Sequence, residues 1–438
     1  MDLLHVDIQK LFLNEINRKE VSQGILGSAL GIAARIIHQL VGLQQLLNRD
    51  VAPKRVHGGL VVPNTGLYAG DTPYTYLTPH RGYDELVPHT KHIATGSEYL
   101  IIACQNQFFK LPVMERHQLL TEGQLRAQLD NICKRAQAEN GLDPDVGILP
   151  TLPRDQWADV YSQLNTDATN RRSIYAIKEA MLMVCLDIGR DLPYSGDNAH
   201  RQTWFGHSSR TYAANRWSDK IMQIVIGMNG TTGLSLDTPY GEYMRLSRFM
   251  EQTYEALASS GEHEGFVHDD NHLASQDAVM FQKLVKDGTI KYLPEDARVA
   301  EVEKLKWNLD DSMRQKINET KEYFDKMIEE HLCVDAPIAN QNIGRKLVKN
   351  LGMSPHAFFT MALSLASKRV FGEMVPMYTY AKPMNLDNMH YHNFSHQETK
   401  DWVDSMDDSN ITDGERYALI KKANDKNQAT LRMVSIVI

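Results

Sequence analysis

The chain has 438 residues, 42% of them hydrophobic and 23% charged, which is length enough for two domains with sizeable cores. A net charge of −8 excludes the broad basic footprint of a nucleic-acid binder, so a polyanionic ligand would need a local cationic patch. The four cysteines (Cys104, Cys133, Cys185, Cys333) are far apart and lack C-x-x-C spacing, a pattern of buried thiols in a reducing compartment rather than of a disulfide frame or zinc site.

The first residues, MDLLHVDIQKLFLNEINRKE, carry acidic groups and do not fit an Arg-rich transit peptide. The apolar run from Gly24 to Leu43 contains Arg35 and His38 and repeats at helical spacing, so it predicts a core helix rather than a membrane span. Ser97 to Val113 predicts strands near a sheet centre. Gln118 to Asn140 predicts an amphipathic helix ending at Gly141. Asn170 to Asp187 predicts another helix, and Lys220 to Asn229 a buried strand. Such alternation points to an α/β layered fold.

Composition turns polar and Gly-bearing over about 259–295, as in a linker or surface insertion. A strand-like piece and a charged helix follow from Lys304. We therefore expect domains at 1–295 and 296–438. There are no repeats, and there is no C-terminal SKL. The expected address is cytoplasmic.

Two His-rich groups invite a metal: Glu262, His263, His268, Asp269, Asp270 and His272, then His390, His392 and His396. Their spacings match no standard zinc signature and suit solvated loops, so no metal is expected. A Ser-His-Asp hydrolase fails for want of a G-x-S-x-G elbow.

Six ordered segments carry a resemblance. They are CQNQFFKLPV (Cys104 to Val113), VGILPTLPRDQWADVYSQL (Val146 to Leu164), NRRSIYAIKEAMLMVCLD, NRWSDKIMQIVIGMNGTTG (Asn215 to Gly233), GRKLVKNLGMSPHAFFTMALSLASKRVFGEMVPMY (Gly344 to Tyr378) and SMDDSNITDGERYALIKKANDKNQ (Ser405 to Gln428). Together they resemble the carnitine/choline O-acyltransferase family, nearest its carnitine and choline acetyltransferase branch, over roughly Ser28 to Gln428. NRWSDK is the most specific piece.

The resemblance implies two domains of chloramphenicol acetyltransferase-like α/β fold, with CoA and the acceptor alcohol entering a tunnel from opposite ends. It implies no tightly bound cofactor, CoA or acyl-CoA as substrate, and a small hydroxylated ammonium such as carnitine or choline as acceptor. A mitochondrial or peroxisomal address is also compatible with it.

Residue by residue, the site departs from the family. Counted without a gap from NRWSDK, Asp237 falls where the resemblance implies the catalytic histidine, and the supporting acidic residue becomes Gly241 or slips to Glu242. An unperturbed carboxylate, with a pKa of about 4, is a poor base near neutral pH, whereas an imidazole titrates in that range. Asp237, shortly before Pro-Tyr-Gly, also suits a plain turn.

For CoA, Arg345, Lys346, Lys349 and Ser354 are the matching positions, while Gly352 replaces a lysine and His356 an aspartate. These lysines fit a solvated helix face as well as residual CoA contact. For the acceptor, Tyr378 matches a tyrosine, but His390, Tyr391 and Ser395 replace the carboxylate clamp. Ile438 closes the sequence before the family's oxyanion segment, so an incomplete second domain is expected. These departures predict a pseudoenzyme. The alternatives are an active acyltransferase with a changed acceptor, and a non-catalytic interaction or regulatory protein whose second domain a protein partner completes.

Overall fold

The apolar runs assemble into one mixed sheet. The computed structural model describes residues 24–48, 55–57, 60–62, 74–88, 98–139, 144–236, 283–331, 344–381 and 390–436. The chain divides into two compact units, one built from 1–53 and 64–335, the other from 54–63 and 336–438.

In the first unit, β3 (Tyr74–His80) and β4 (Tyr83–Pro88) form an antiparallel hairpin, while strands β5 (Glu98–Cys104), β6 (Gln107–Glu115), β7 (Gln118–Leu119), β8 (Met183–Asp187), β9 (Met222–Gly227), β10 (Thr232–Leu236) and β11 (Lys291–Tyr292) lie in the order β10-β9-β8-β5-β6-β7-β11, and β12 (Glu303–Lys304) pairs with β6. The pairs β5–β8 and β8–β9 are parallel, and β9–β10 and β5–β6 are antiparallel. Successive side chains of a strand point to opposite faces. Leu100, Ile102 and Cys104 therefore join one core and Ile101 and Ala103 the other. Both faces are covered, which is why these strands read as unbroken apolar runs.

Helix α1 (Gly24–Asn48), as expected, and α2 (Glu122–Ala138) cover one face, burying Ile36, Ile37, Leu129 and Ile132. Helix α2 starts later than its sequence pattern suggests because Gln118–Leu119 is drawn into the sheet, and Thr121 with Gln124 then closes a capping box. The other face is covered by a 3-10 turn (Val146–Thr151), α3 (Arg154–Leu164) and α4 (Ala168–Glu179).

Three expectations need correction. The helix predicted over Asn170 to Asp187 stops at Glu179, and Met183–Asp187 is the central strand β8, fully buried on both faces. A short apolar run alone does not separate a buried helix turn from a buried strand. The polar segment before 295 is not wholly a surface insertion: Ile290 and Leu293 enter the core, and Leu293 N donates to Leu119 O at 2.7 Å.

The expected boundary at 295 also differs from the observed division. The charged helix, α5 in the first unit's second half (Asp311–Glu329), buries Met313, Ile317, Phe324 and Ile328 along one stripe in the core that Ile101 and Ala103 join. Each such side chain is worth about 1.5–3 kcal/mol when fully buried, which commits the helix to that unit.

The second unit holds hairpins β1–β2 (Arg55–His57, Leu60–Val62) and β13–β14 (Tyr378–Ala381, His390–Asn393) and helices α6 (Arg345–Asn350), α7 (Pro355–Phe371), α8 (Gln397–Ser405) and α9 (Asp413–Ile436). Its core is small, with Met361, Trp402, Val403 and Ala423 at its centre. Cys104, Cys133 and Cys185 are buried free thiols, while Cys333 lies outside the described residues. Among the described residues no helix is long and apolar enough to cross a membrane.

Candidate active site

NRWSDK runs into β9, and its side chains are spent inside the fold. Asn215 Nδ2 donates to Leu186 O (3.1 Å) and to Asp187 Oδ1 (3.0 Å), while its Oδ1 accepts from Asn106 N (3.1 Å). Arg216 grips Asp187 with two parallel bonds, 2.8 Å to Oδ1 and 2.7 Å to Oδ2, and also donates to Gln202 O at 2.7 Å. Burial alone would lower the pKa of Arg216, but the Asp187 carboxylate outweighs it and holds the guanidinium above its ordinary value.

Trp217 stacks on Trp307 with centroids 5.6 Å apart, and its Nε1 donates to the Tyr76 hydroxyl at 3.0 Å. Asp219 accepts from Arg154 Nη1 (2.6 Å), Trp157 Nε1 (2.6 Å) and Tyr76 Oη (3.2 Å). Burial pushes its carboxyl up to about 6, with Arg154 opposing. Lys220 Nζ donates to the carbonyls of Ile177 (3.0 Å), Lys178 (3.3 Å) and Ala180, capping the C-terminal end of α4, and burial drives its pKa well down.

Gly147 lets the 3-10 turn press against this loop, because a Cβ there would lie 2.1 Å from Ala214 O and 2.6 Å from Arg216 O. The most specific motif in the sequence is thus a structural lock. It fixes the loop entering β9 and, through the β9–β10 register Thr232↔Ile226 to Leu236↔Met222, the edge strand β10. At the turn, Asn229 Nδ2 donates to Gln202 Oε1 at 2.8 Å, and Thr203 packs on Gly233. Strand β10 ends at Leu236, one residue before Asp237. Asp237, Gly241 and Glu242 lie outside the described residues.

In the second unit, Arg345, Lys346 and Lys349 are exposed on α6, which Val348 anchors in the core. At the end of α6, Gly352 has φ +69°, the left-handed region that favours glycine, so a lysine could not stand there without strain. Lys421 of α9 brings an amine to the same spot, donating to Gly352 O at 3.0 Å. The sequence reading missed that role, because only the turn geometry at Gly352 reveals it.

Ser354 is the N-cap of α7. Its hydroxyl accepts from Ala357 N at 3.4 Å, and its own N–H donates to Asn424 Oδ1 at 2.8 Å. His356 is the second residue of α7, with its ring 5.2 Å from that of Phe394.

The acceptor candidates fall on one hairpin. Tyr378 is exposed and pairs in register with Asn393, while Tyr391 pairs with Tyr380. The side chains of His390, Tyr391 and His392 are outside the described set. Ser395 Oγ accepts from Met377 N at 2.7 Å, so it serves the hairpin base. His396 meets Thr430 Oγ1 at 3.0 Å. The residues 262–272 named for a metal lie outside the described set, and among the described residues no cluster of three or more His, Cys, Asp or Glu side chains could hold one.

A family model for choline/carnitine O-acyltransferases matches residues 11–436. Choline O-acetyltransferase of Sus scrofa is 27% identical over 354 residues, 80% of this chain and 51% of the relative. Choline O-acetyltransferase of Homo sapiens is 28% identical over 308 residues, 70% of this chain and 37% of the relative. Carnitine O-acetyltransferase of Columba livia is 25% identical over 412 residues, 92% of this chain and 60% of the relative. The chain spans about half the length of the curated relatives it matches.

Proposed function

The chain belongs to the choline/carnitine O-acyltransferase family, and on that premise we propose that it is a member in which acyl transfer between CoA and the hydroxyl of carnitine or choline is impaired or lost. The observation that carries this is Asp237. It follows β10 directly, and from Lys220 to Leu236 the loop, hairpin and strand register run unbroken. This continuity supports the gap-free placement of Asp237 on the histidine position.

Acyl transfer needs a base that takes the hydroxyl proton near neutral pH and returns it to the leaving thiolate. A carboxylate of ordinary pKa does this poorly, and with Gly241 in the supporting acidic position, Glu242 is the remaining carboxylate nearby. The exposed cations Arg345, Lys346 and Lys349 support residual contact with CoA phosphates. Tyr378 and Tyr391 are the acceptor-side candidates that survive on the hairpin. A cytoplasmic address completes the proposal.

Thiol release from acetyl-CoA and longer acyl-CoAs, with carnitine or choline present, tests it. Turnover at background level, rising in Asp237→His, is the expected result. Robust wild-type turnover abolished by Asp237→Ala would overturn the silent reading and leave an active enzyme using an unusual base. Calorimetric titration with CoA reads the retained ligand contact separately.

A further inference from the structure

Two thiols meet inside the first unit. Cys104 Sγ donates to Cys133 Sγ at 4.0 Å, and both residues are buried in one core, exposed by 0% and 3%. Cys104 is the last residue of β5, and Cys133 lies in the second half of α2.

Strand register accounts for the meeting. Cys104 pairs with Gln107 across the turn between β5 and β6, and directly opposed residues of an antiparallel pair share one face. Gln107 Nε2 donates to Ala136 O at 2.9 Å, about one turn along α2 from Cys133. The strand pair thus lays Cys104 and Gln107 along one stretch of the helix. Helix α2 is held near both ends, Gln124 Nε2 donating to Pro294 O at 2.7 Å and Arg135 Nη1 to Val302 O at 2.8 Å. Cys133 is therefore presented to Cys104 by a fixed element. Cys185 belongs to the other core and meets Gln223 Oε1 at 3.7 Å instead of a thiol.

We propose that Cys104 and Cys133 form a redox site, in which hydrogen peroxide oxidises the pair to a disulfide that ties β5 to α2. Cys133, the less buried of the two, meets the oxidant. Its sulfur attacks one peroxide oxygen, the O–O bond breaks, and a sulfenic acid forms as water leaves with the thiol proton. The Cys104 sulfur then attacks the Cys133 sulfur. An S–S bond forms, the S–O bond breaks, and the hydroxyl leaves as water with the Cys104 proton. Both sulfurs are oxidised and both peroxide oxygens end as water.

The surroundings assign these roles. Its hydrogen bond to Cys133 and its burial hold the Cys104 thiol well above its ordinary range, so it stays protonated and suits the second step, at a partner already beside it. Closing the gap to a bond of about 2 Å moves each sulfur by roughly 1 Å, a side-chain adjustment. The two cysteines are 29 residues apart in sequence, so the bond also closes a loop that constrains the unfolded chain.

Hydrogen peroxide added to the folded full chain, followed by alkylation in denaturant and peptide mapping, tests this. The expected product is a peptide pair joined through Cys104 and Cys133, about 2 Da lighter than the two reduced peptides together, with Cys185 alkylated. The unfolding midpoint should rise by roughly 5 °C and return on addition of dithiothreitol. The urea-unfolded chain, treated alike, should scatter its disulfides among other pairings. Both thiols alkylated at every peroxide dose, Cys104 or Cys133 oxidised without being joined, the same scatter from the folded chain as from the unfolded one, or a joined chain with a lowered midpoint would each overturn the proposal.

Discussion

The loop entering β9 and the approach to α7 are both rich in charge, and they use it in opposite ways. In the first, Arg216, Asp219 and Lys220 are buried, and each meets two or more partners held by other elements. In the second, Arg345, Lys346 and Lys349 stand in solvent on a short helix, and the nearby polar contacts cap helix ends. A motif that stays recognisable because the fold cannot do without it says little about chemistry. A solvated cationic helix has no such structural reason, so its role has to come from a ligand or be nil.

The sharpest way to break this comparison is Arg216→Met. It leaves Asp187 buried with only Asn215 and Gln202 as side-chain donors, and removing one partner of a buried pair costs about 3–5 kcal/mol. Urea unfolding should show a large loss of stability, or no folded protein at all. A loss under about 1 kcal/mol would mean that the lock is not what holds the hairpin.

Asp219 supplies the next largest effect, and it is a pH effect. Burial raises its folded pKa to about 6 from an ordinary value of 3.8, so between those values the folded state binds the proton more readily than the unfolded chain. Its contribution is fully present below about pH 4 and is lost as pH rises through 6. A shift of about two units corresponds to about 3 kcal/mol. The wild type should lose stability over that window relative to Asp219→Asn, whose profile should be flatter. Equal slopes would show that Arg154, Trp157 and Tyr76 already balance the burial.

These outcomes bear on what a sequence displays. Strands β5, β6 and β9 were legible because both faces are apolar, and α1 because its pattern repeats at helical spacing. Met183–Asp187 was not legible, since five buried residues fit a helix turn or a strand equally well, and only pairing with β5 and β9 decides. The helix of α5 was visible in the sequence as a charged helix, but that pattern does not name the core it packs against.

NRWSDK was visible as a pattern, yet its meaning lies in Asp187, Arg154 and Tyr76, which are 29, 65 and 143 residues from their partners in the motif. The placement of Asp237 rests on counting along a strand whose register is intact. The acceptor hairpin offered no such frame, because the segment between its strands departs from the family.

In the second unit the effects should be smaller. Gly352→Ala forces a side chain into the left-handed region, at a cost of about 1–2 kcal/mol, and places its Cβ 3.0 Å from the Lys421 amine. The unfolding midpoint should fall accordingly, and a neutral substitution would mean that the turn relaxes out of that geometry.

The smallest stability change is expected at Lys349, and it is the most informative about function. An exposed lysine with no structural duty changes stability by no more than about 0.5 kcal/mol when truncated. Lys349→Ala should therefore unfold with the wild type. If the cations of α6 meet CoA phosphates, the same variant should bind CoA more weakly by calorimetry, and the deficit should shrink as salt is raised, because screening removes what the lysine supplied. If stability and CoA heats are both unchanged, the cations of α6 are a solvated face, and the contrast with the buried lock becomes one between structure and mere solubility.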